Sequence, residues 1–338
     1  MNRPSLVAAL LALLLSSPAL AAAPEDAISI PAGPAIVGRD GGPAEEAPAH
    51  PVRLRAYRIG RHEVSNADFL SHLREHGGFG TLEGQPYLGS LELALEGLAQ
   101  LEREQGGPLS KVEASLEPQV RARWQATIAA VRAATGEDAR AGIAGLSLEP
   151  HRERLRREAE LPVRWLTWRD ARVYCRAAGG DLPTEAQWER AARGKGGRAY
   201  PFEGAWEAGR CPIGLEAPAP VDAHSDCATP EGARGMAGNV WEWTLDWYDA
   251  GYFARSPAAD PTGPEGLPEG RLPPPDPEAM LLRTPGQGRE TDTRKVLKGG
   301  GYASPSDHRA RFDARSTRRS PLAPGEAHPD VGLRCVWP

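Results

Sequence analysis

Apolar positions recur with two different periods along this chain, and the alternation between the periods marks out its elements. From Ile28 to Val37 the pattern suits a first strand, interrupted by Pro31 and Pro34. Val52 to Ile59 alternates apolar and polar residues and predicts one half-buried strand. Ser65 with Asp68 forms a capping box ahead of a helix carrying Phe69, Leu70 and Leu73 on one face, with Gly77 as its stop. Pro162 to Leu166 reads as an extended run. Thr167 with Asp170 opens a second helix that ends at Gly179-Gly180. Thr184 with Gln187 opens a third that ends at Gly194. Residues 195–234 read as turns and short strands, and Val240 to Trp243 as a short strand with one buried face. Lys295 to Lys298 and Val331 to Trp337 predict two closing strands.

Two stretches interrupt this order. Between 79 and 160, Leu91, Leu95 and Leu98, then Val120, Trp124, Ile128 and Val131, recur at helical spacing. The segment is expected to be a helical insertion that ends in the basic run His151 to Arg157. Residues 256–290 are rich in Pro and Gly and predict a long surface loop.

Composition agrees with a loop-rich α+β chain. Of 338 residues, 38 are Gly and 33 Pro, and aromatics make up only 6%. The net charge of -5 gives no reason to expect nucleic-acid binding. Residues 1–23 have the build of a secretory signal: Arg3, an apolar run from Leu6 to Leu15, then small residues at Ala19 to Ala23. That run is too short for a membrane span, and no other segment approaches the ~20 apolar residues a span needs. The expectation is therefore an exported, periplasmic or extracellular protein. Its 4 cysteines then suggest two disulfides, with three pairings open.

The chemistry concentrates in Gly235 to Trp243. Tryptophans flank Glu242 directly after a turn that holds Gly238 and Asn239. Buried indole N–H groups need acceptors. A carboxylate between them is costly to bury unless backbone donors, a cation or a metal meet it. Asn239 offers a side-chain oxygen, and turn carbonyls such as that of Gly238 are hard ligands of the kind calcium takes. A structural strand whose glutamate is satisfied by N–H groups is the plainer alternative. Ser304, Ser306, Asp307, His308 and Arg311 form a second polar group. They are either pocket lining or a solvated loop, and adjacency alone does not make a nucleophilic triad.

The landmarks also stand in an order that resembles the sulfatase-modifying-factor (formylglycine-generating enzyme) family. They are Pro51-Val52 with Ile59 and Glu63-Val64-Ser65-Asn66; Thr167-x-x-Asp170-Ala171 with Tyr174-Cys175; Leu182-Pro183-Thr184-Glu185-Ala186-Gln187-Trp188-Glu189; Gly238-Asn239-Val240-Trp241-Glu242-Trp243; Lys298-Gly299-Gly300-Gly301-Tyr302; and Gly332-Leu333-Arg334-Cys335. The resemblance covers residues 28–77 and 161–338 apart from the loop. It implies a fold related to C-type lectins, one domain over 24–338 interrupted by the insertion, and an enzyme class that oxidises a sulfatase cysteine with oxygen and a copper ion held by two cysteines.

This chain departs from that pattern where the copper should sit. The resemblance places the two copper cysteines at Ser304 and Asp307, so no copper is expected, and catalysis by the family route is expected to be absent. The implied role is a binding or accessory module for a peptide, protein or small molecule, with the insertion as an element for docking a protein. The alternative is an oxidoreductase of the same family with no metal or with another, non-haem metal site, for which Asp307 and His308 would suit iron better than Cu(I). The family pairs the cysteine of the second helix with that of the last strand, here Cys175 with Cys335. Cys211 and Cys227 are left to each other. The family's calcium site implies a side-chain oxygen at 235, the carbonyls of Gly238 and Val240, and Glu242. Because residue 235 is glycine, the expectation is weak calcium binding at best.

Overall fold

The computed structural model describes residues 23–76, 149–265, 294–304 and 310–338. The first apolar run is split at Pro31 into β1 (Ile28–Ile30) and β2 (Gly33–Val37), and Pro34 lies within β2. The alternating stretch that follows is two strands, β3 (His50–Leu54) and β4 (Tyr57–Ile59), and not the single strand expected. The break at Arg55 and Ala56 sends the two halves into different sheets. β3 forms an antiparallel hairpin with β2, while β4 lies between β1 and the terminal β9 (Val336–Trp337). An alternating pattern fixes which face is buried but not which partner a strand takes.

The helices form where capping chemistry announced them. Ser65 Oγ accepts the Asp68 N–H at 3.1 Å, and Asp68 accepts the Ser65 N–H in return, which starts α1 (Asn66–His76). Reciprocal boxes at Thr167/Asp170 and Thr184/Gln187 start α3 (Trp168–Ala177) and α4 (Glu185–Arg193). Between α1 and α3 in chain order, α2 (Glu149–Glu160) is the described end of the helical insertion. Its Leu155 packs into the cluster with Phe69, Leu70 and Leu73 of α1, while Arg154, Arg156 and Arg157 are exposed. The earlier helices of the insertion lie outside the described residues. So do residues 1–22 of the signal segment and most of the Pro/Gly-rich loop.

The main sheet has the order β7-β6-β5-β8, with β5 (Trp241–Trp247), β6 (Lys295–Lys298), β7 (Ser320–Leu322) and β8 (Val331–Gly332). β5 is longer than expected and is buried on both faces, because α4 covers one face and α3 with the tail of the chain covers the other. Pro162 to Leu166 is extended only through a bridge from Pro162 to Ser65, and Trp165 takes a positive φ of 60°. Residues 195–234 contain turns and one 3₁₀ turn but no strand. A short helical turn, α5 (Ala310–Asp313), precedes β7.

The disulfide that the family pairing implied forms, and so does the one between the two cysteines left over. Cys175 at the end of α3 joins Cys335 across 160 positions, and Cys211 joins Cys227 across 16. Three buried indoles find acceptors in backbone carbonyls. Trp168 donates to the Thr244 carbonyl at 2.8 Å, Trp243 to that of Leu166 at 3.0 Å, and Trp337 to that of Ala178 at 2.9 Å.

Candidate functional site

Glu242 sits in the middle of the main sheet with no exposed surface. Its counter-charge is Arg334, also fully buried, whose Nη2 donates to Oε1 at 2.8 Å and whose Nε lies 3.1 Å from Oε2. Trp188 of α4 adds its indole N–H to Oε2 at 2.7 Å. A guanidinium is therefore the main partner, an outcome the spacing did not single out among cation, metal and N–H donors. The remaining Arg334 donors go to the Gly60 and Arg234 carbonyls at 2.8 and 2.6 Å. Every polar atom of the arginine is used, as a buried cation requires.

The turn before β5 is built on positive φ: Gly235 at 67°, Gly238 at 85° and Asn239 at 61°. Gly238 also needs to lack a side chain, since a Cβ there would lie 2.5 Å from the Pro212 carbonyl oxygen. Asn239 does not present its oxygen to a cation. Its Oδ1 accepts the Ala219 N–H at 2.9 Å, and its Nδ2 donates to Ala219 O and to Glu63 Oε1 at 3.2 and 3.1 Å. Glu63 is thereby drawn into the site, although the sequence reading gave it no role beyond its motif. Burial pushes its carboxyl up to about 7, Arg334 opposes the shift, and Glu242 adds to it.

The glycine run after β6 shapes the second group. Gly299 and Gly300 have φ of 100° and 81°. Tyr302 N–H bonds back to the Asn239 carbonyl at 2.7 Å, tying this segment to the turn before β5. Gly301 lies against Trp241 and Asp330, with no room for a side chain between them. Ser304 is buried, and its N–H donates to Gly301 O at 3.1 Å. Asp307 and His308 fall outside the described residues; Arg311 lies in α5, its side chain outside them too. Asp330 belongs with this group. Its carboxyl is pushed up to about 6 by burial, and its Oδ1 has no hydrogen-bond partner among the described residues. No periodicity or motif singled it out.

A buried charge network fixes α4 on the sheet behind the site. Lys298 of β6 bonds Glu189 at 2.9 Å and Glu185 at 3.3 Å, and Arg319 bonds Glu185 at 2.8 Å. This network holds Trp188 over Glu242. All 4 cysteines are taken up by the two bridges, and none is free.

A model of the sulfatase-modifying factor enzyme 1-like domain matches residues 15–338. The chain belongs to the sulfatase-modifying factor family. A formylglycine-generating enzyme of Streptomyces coelicolor is 29% identical, with 96% of each chain covered. A cattle relative named inactive C-alpha-formylglycine-generating enzyme 2 is 28% identical, over 54% of this chain and 52% of the relative. Among solved structures, PvdO from Pseudomonas aeruginosa superposes with a TM-score of 0.53 at 16% identity, covering 93% of this chain and 95% of that one. That likeness concerns the fold, a mixed helix and sheet architecture of the C-type-lectin-like kind. Among the described residues, no helix of this family member is long and apolar enough to cross a membrane.

Proposed function

We propose that this sulfatase-modifying-factor protein is exported and serves as a binding or accessory module of the cell envelope, without copper-dependent formylglycine formation. One observation carries the reading. Every cysteine of the chain is committed to a disulfide, and the first family copper position is a buried serine. Copper(I) chemistry needs soft thiolates. A serine hydroxyl keeps its proton at neutral pH and is a hard donor, and the carboxylate of Asp307 at the second position is hard as well. The cattle relative whose name calls it inactive supports this direction. The Streptomyces relative shares the frame, and the frame does not depend on the copper thiolates. The surroundings of Ser304, where the family holds its copper, are where a peptide, protein or small molecule is expected to bind. Export rests on the signal-like residues 1–23 and on the two bridges.

The test supplies a Cys-x-Pro-x-Arg peptide with Cu(I) and oxygen and follows aldehyde formation by mass spectrometry. No aldehyde is expected. Copper-dependent turnover that survives Ser304→Ala and Asp307→Ala overturns the reading. Stoichiometric iron in protein purified without added metal would put an oxidoreductase with a different metal site in its place.

A further inference from the structure

Arg190 lies near the end of α4 and is 3% exposed, and a buried guanidinium needs its donors met. Its Nη1 has no hydrogen-bond partner among the described residues, and the carboxylate oxygen it faces, Glu231 Oε1, stands 3.9 Å away. The other oxygen of Glu231 faces Arg198 Nη2 at 3.5 Å. Nε and Nη2 of Arg198 are likewise without hydrogen bonds among the described residues. One carboxylate thus stands between two guanidinium groups and completes neither. The backbone on each side is held. Arg198 is tied to Arg193 through both its N–H and its carbonyl, at 3.1 and 2.9 Å. Thr229 to Ala233 close a tight turn around Glu231, with the Gly232 N–H on the Thr229 carbonyl at 2.8 Å and the Ala233 N–H on Thr229 Oγ1 at 3.0 Å. Arg61 rests on the same turn, its Nη1 donating to the Gly232 carbonyl at 3.4 Å. The carboxylates paired with the outer arginines, Asp26 with Arg61 and Glu203 with Arg198, lie mostly in solvent, so positive charge is in excess beneath them.

The unmet donors define a shape. Nε and Nη2 form one edge of the Arg198 guanidinium, the fork that grips two oxygens of an oxyanion side by side. Arg190 Nη1 is left for a third oxygen. A glutamate has two oxygens and divides them between the arginines, whereas a tetrahedral oxyanion has four. We propose that Arg190 and Arg198 form a binding site for a phosphate group, and that Glu231 is a stand-in that the ligand displaces. Glu231 is 31% exposed, and both of its ion-pair distances exceed the roughly 2.7–2.9 Å of a charge-assisted hydrogen bond, so little holds its side chain back from solvent. With three oxygens engaged, the fourth is free to carry an ester, and free phosphate and a phosphomonoester share this chemistry. The inference does not rest on the proposed function, since neither Ser304 nor Glu242 takes part in it.

Isothermal titration calorimetry of the full chain with inorganic phosphate, glycerol 3-phosphate and acetate tests this. Saturable binding of a phosphate group is expected, and the tighter of the two phosphates tells whether the group arrives free or esterified. Arg190→Met should weaken that binding roughly tenfold or more, because the anion loses a charged donor. Glu231→Gln should strengthen it by about the same factor, because the competing charge is gone. An ion-pair network with a structural role alone gains no affinity from that change. Thermal melts in phosphate-free buffer establish that each variant folds, and if Arg190→Met does not fold, Glu231→Gln decides alone. The proposal is overturned by any of three results: Glu231→Gln that binds neither phosphate more tightly than the unaltered chain, binding that survives Arg190→Met, or acetate that binds as tightly as phosphate.

Discussion

The Asp246 carboxylate accepts the backbone N–H of Glu185 at 2.8 Å, so a residue of β5 caps the first turn of α4 from across the core. Burial pushes Asp246 up from 3.8 to about 7, with the Glu185 charge adding to the shift. Its folded-state pKa lies above its unfolded value. The stability it contributes is therefore full below about 3.8 and lost as pH rises through about 7. Asp246→Asn should remove that loss. Relative to the unaltered chain, the variant should gain more stability at about pH 8 than at about pH 5, as read from urea midpoints. An equal difference at the two pH values would contradict this linkage.

Lys295 behaves in the opposite sense. Burial lowers its amine from 10.5 to about 7, between the rings of Trp168 and Trp247, whose centroids lie 4.1 and 3.8 Å from Nζ. A depressed lysine contributes stability that is full above 10.5 and lost as pH falls through about 7. Lys295→Met should flatten the fall in stability on that side, measured by the same urea midpoints. A slope unchanged by the substitution would show that the amine stays charged in its aromatic slot.

Arg334→Leu leaves Glu242 buried without its counter-charge and the Gly60 and Arg234 carbonyls without a donor. A loss of about 3–5 kcal/mol is expected. Replacing both partners by leucine should cost less than the single change, because the larger penalty is the unpaired charge. Chemical denaturation of both variants checks the order.

The bridges should differ in weight. In the chain-entropy account the cross-link over 160 positions stabilises by about 5 kcal/mol and the one over 16 by about 3 kcal/mol. Serine replacement of Cys175 and Cys335 should therefore lower the melting temperature more than replacement of Cys211 and Cys227. The reverse order would mean that the short bridge holds the turn region in a way chain entropy does not capture.

Ser304→Cys/Asp307→Cys restores the family's copper pair without touching either bridge. Competition with a colorimetric Cu(I) chelator should show tight binding in this variant and none in the unaltered chain. Equal competition by both would mean that the copper positions lie elsewhere.

The local grammar of the chain was legible. Three capping boxes, at Ser65, Thr167 and Thr184, fixed three helix starts, because each depends on side chains within four residues of one another. The Cys175–Cys335 disulfide followed from the family order, and it left Cys211 to Cys227. What the sequence hid depends on partners far along the chain. The strand from Val52 to Ile59 divides because its halves meet different neighbours, β2 for one and β1 with β9 for the other. Whether a cation, a metal or N–H donors meet Glu242 stayed open because its arginine is 92 positions away. Glu63 and Asp330 were missed for the same reason: their burial, and the shifts it causes, come from packing that no local pattern encodes.

That separation of 92 positions between Glu242 and Arg334 also sets an order in time. As the chain is made, β5 emerges with an acid that has no counter-ion, and it waits for β6, β7 and β8 before the arginine arrives. The central strand therefore cannot settle into its dry position early. The core must close late, with the last strands acting as the lock that makes burial of the first acid tolerable.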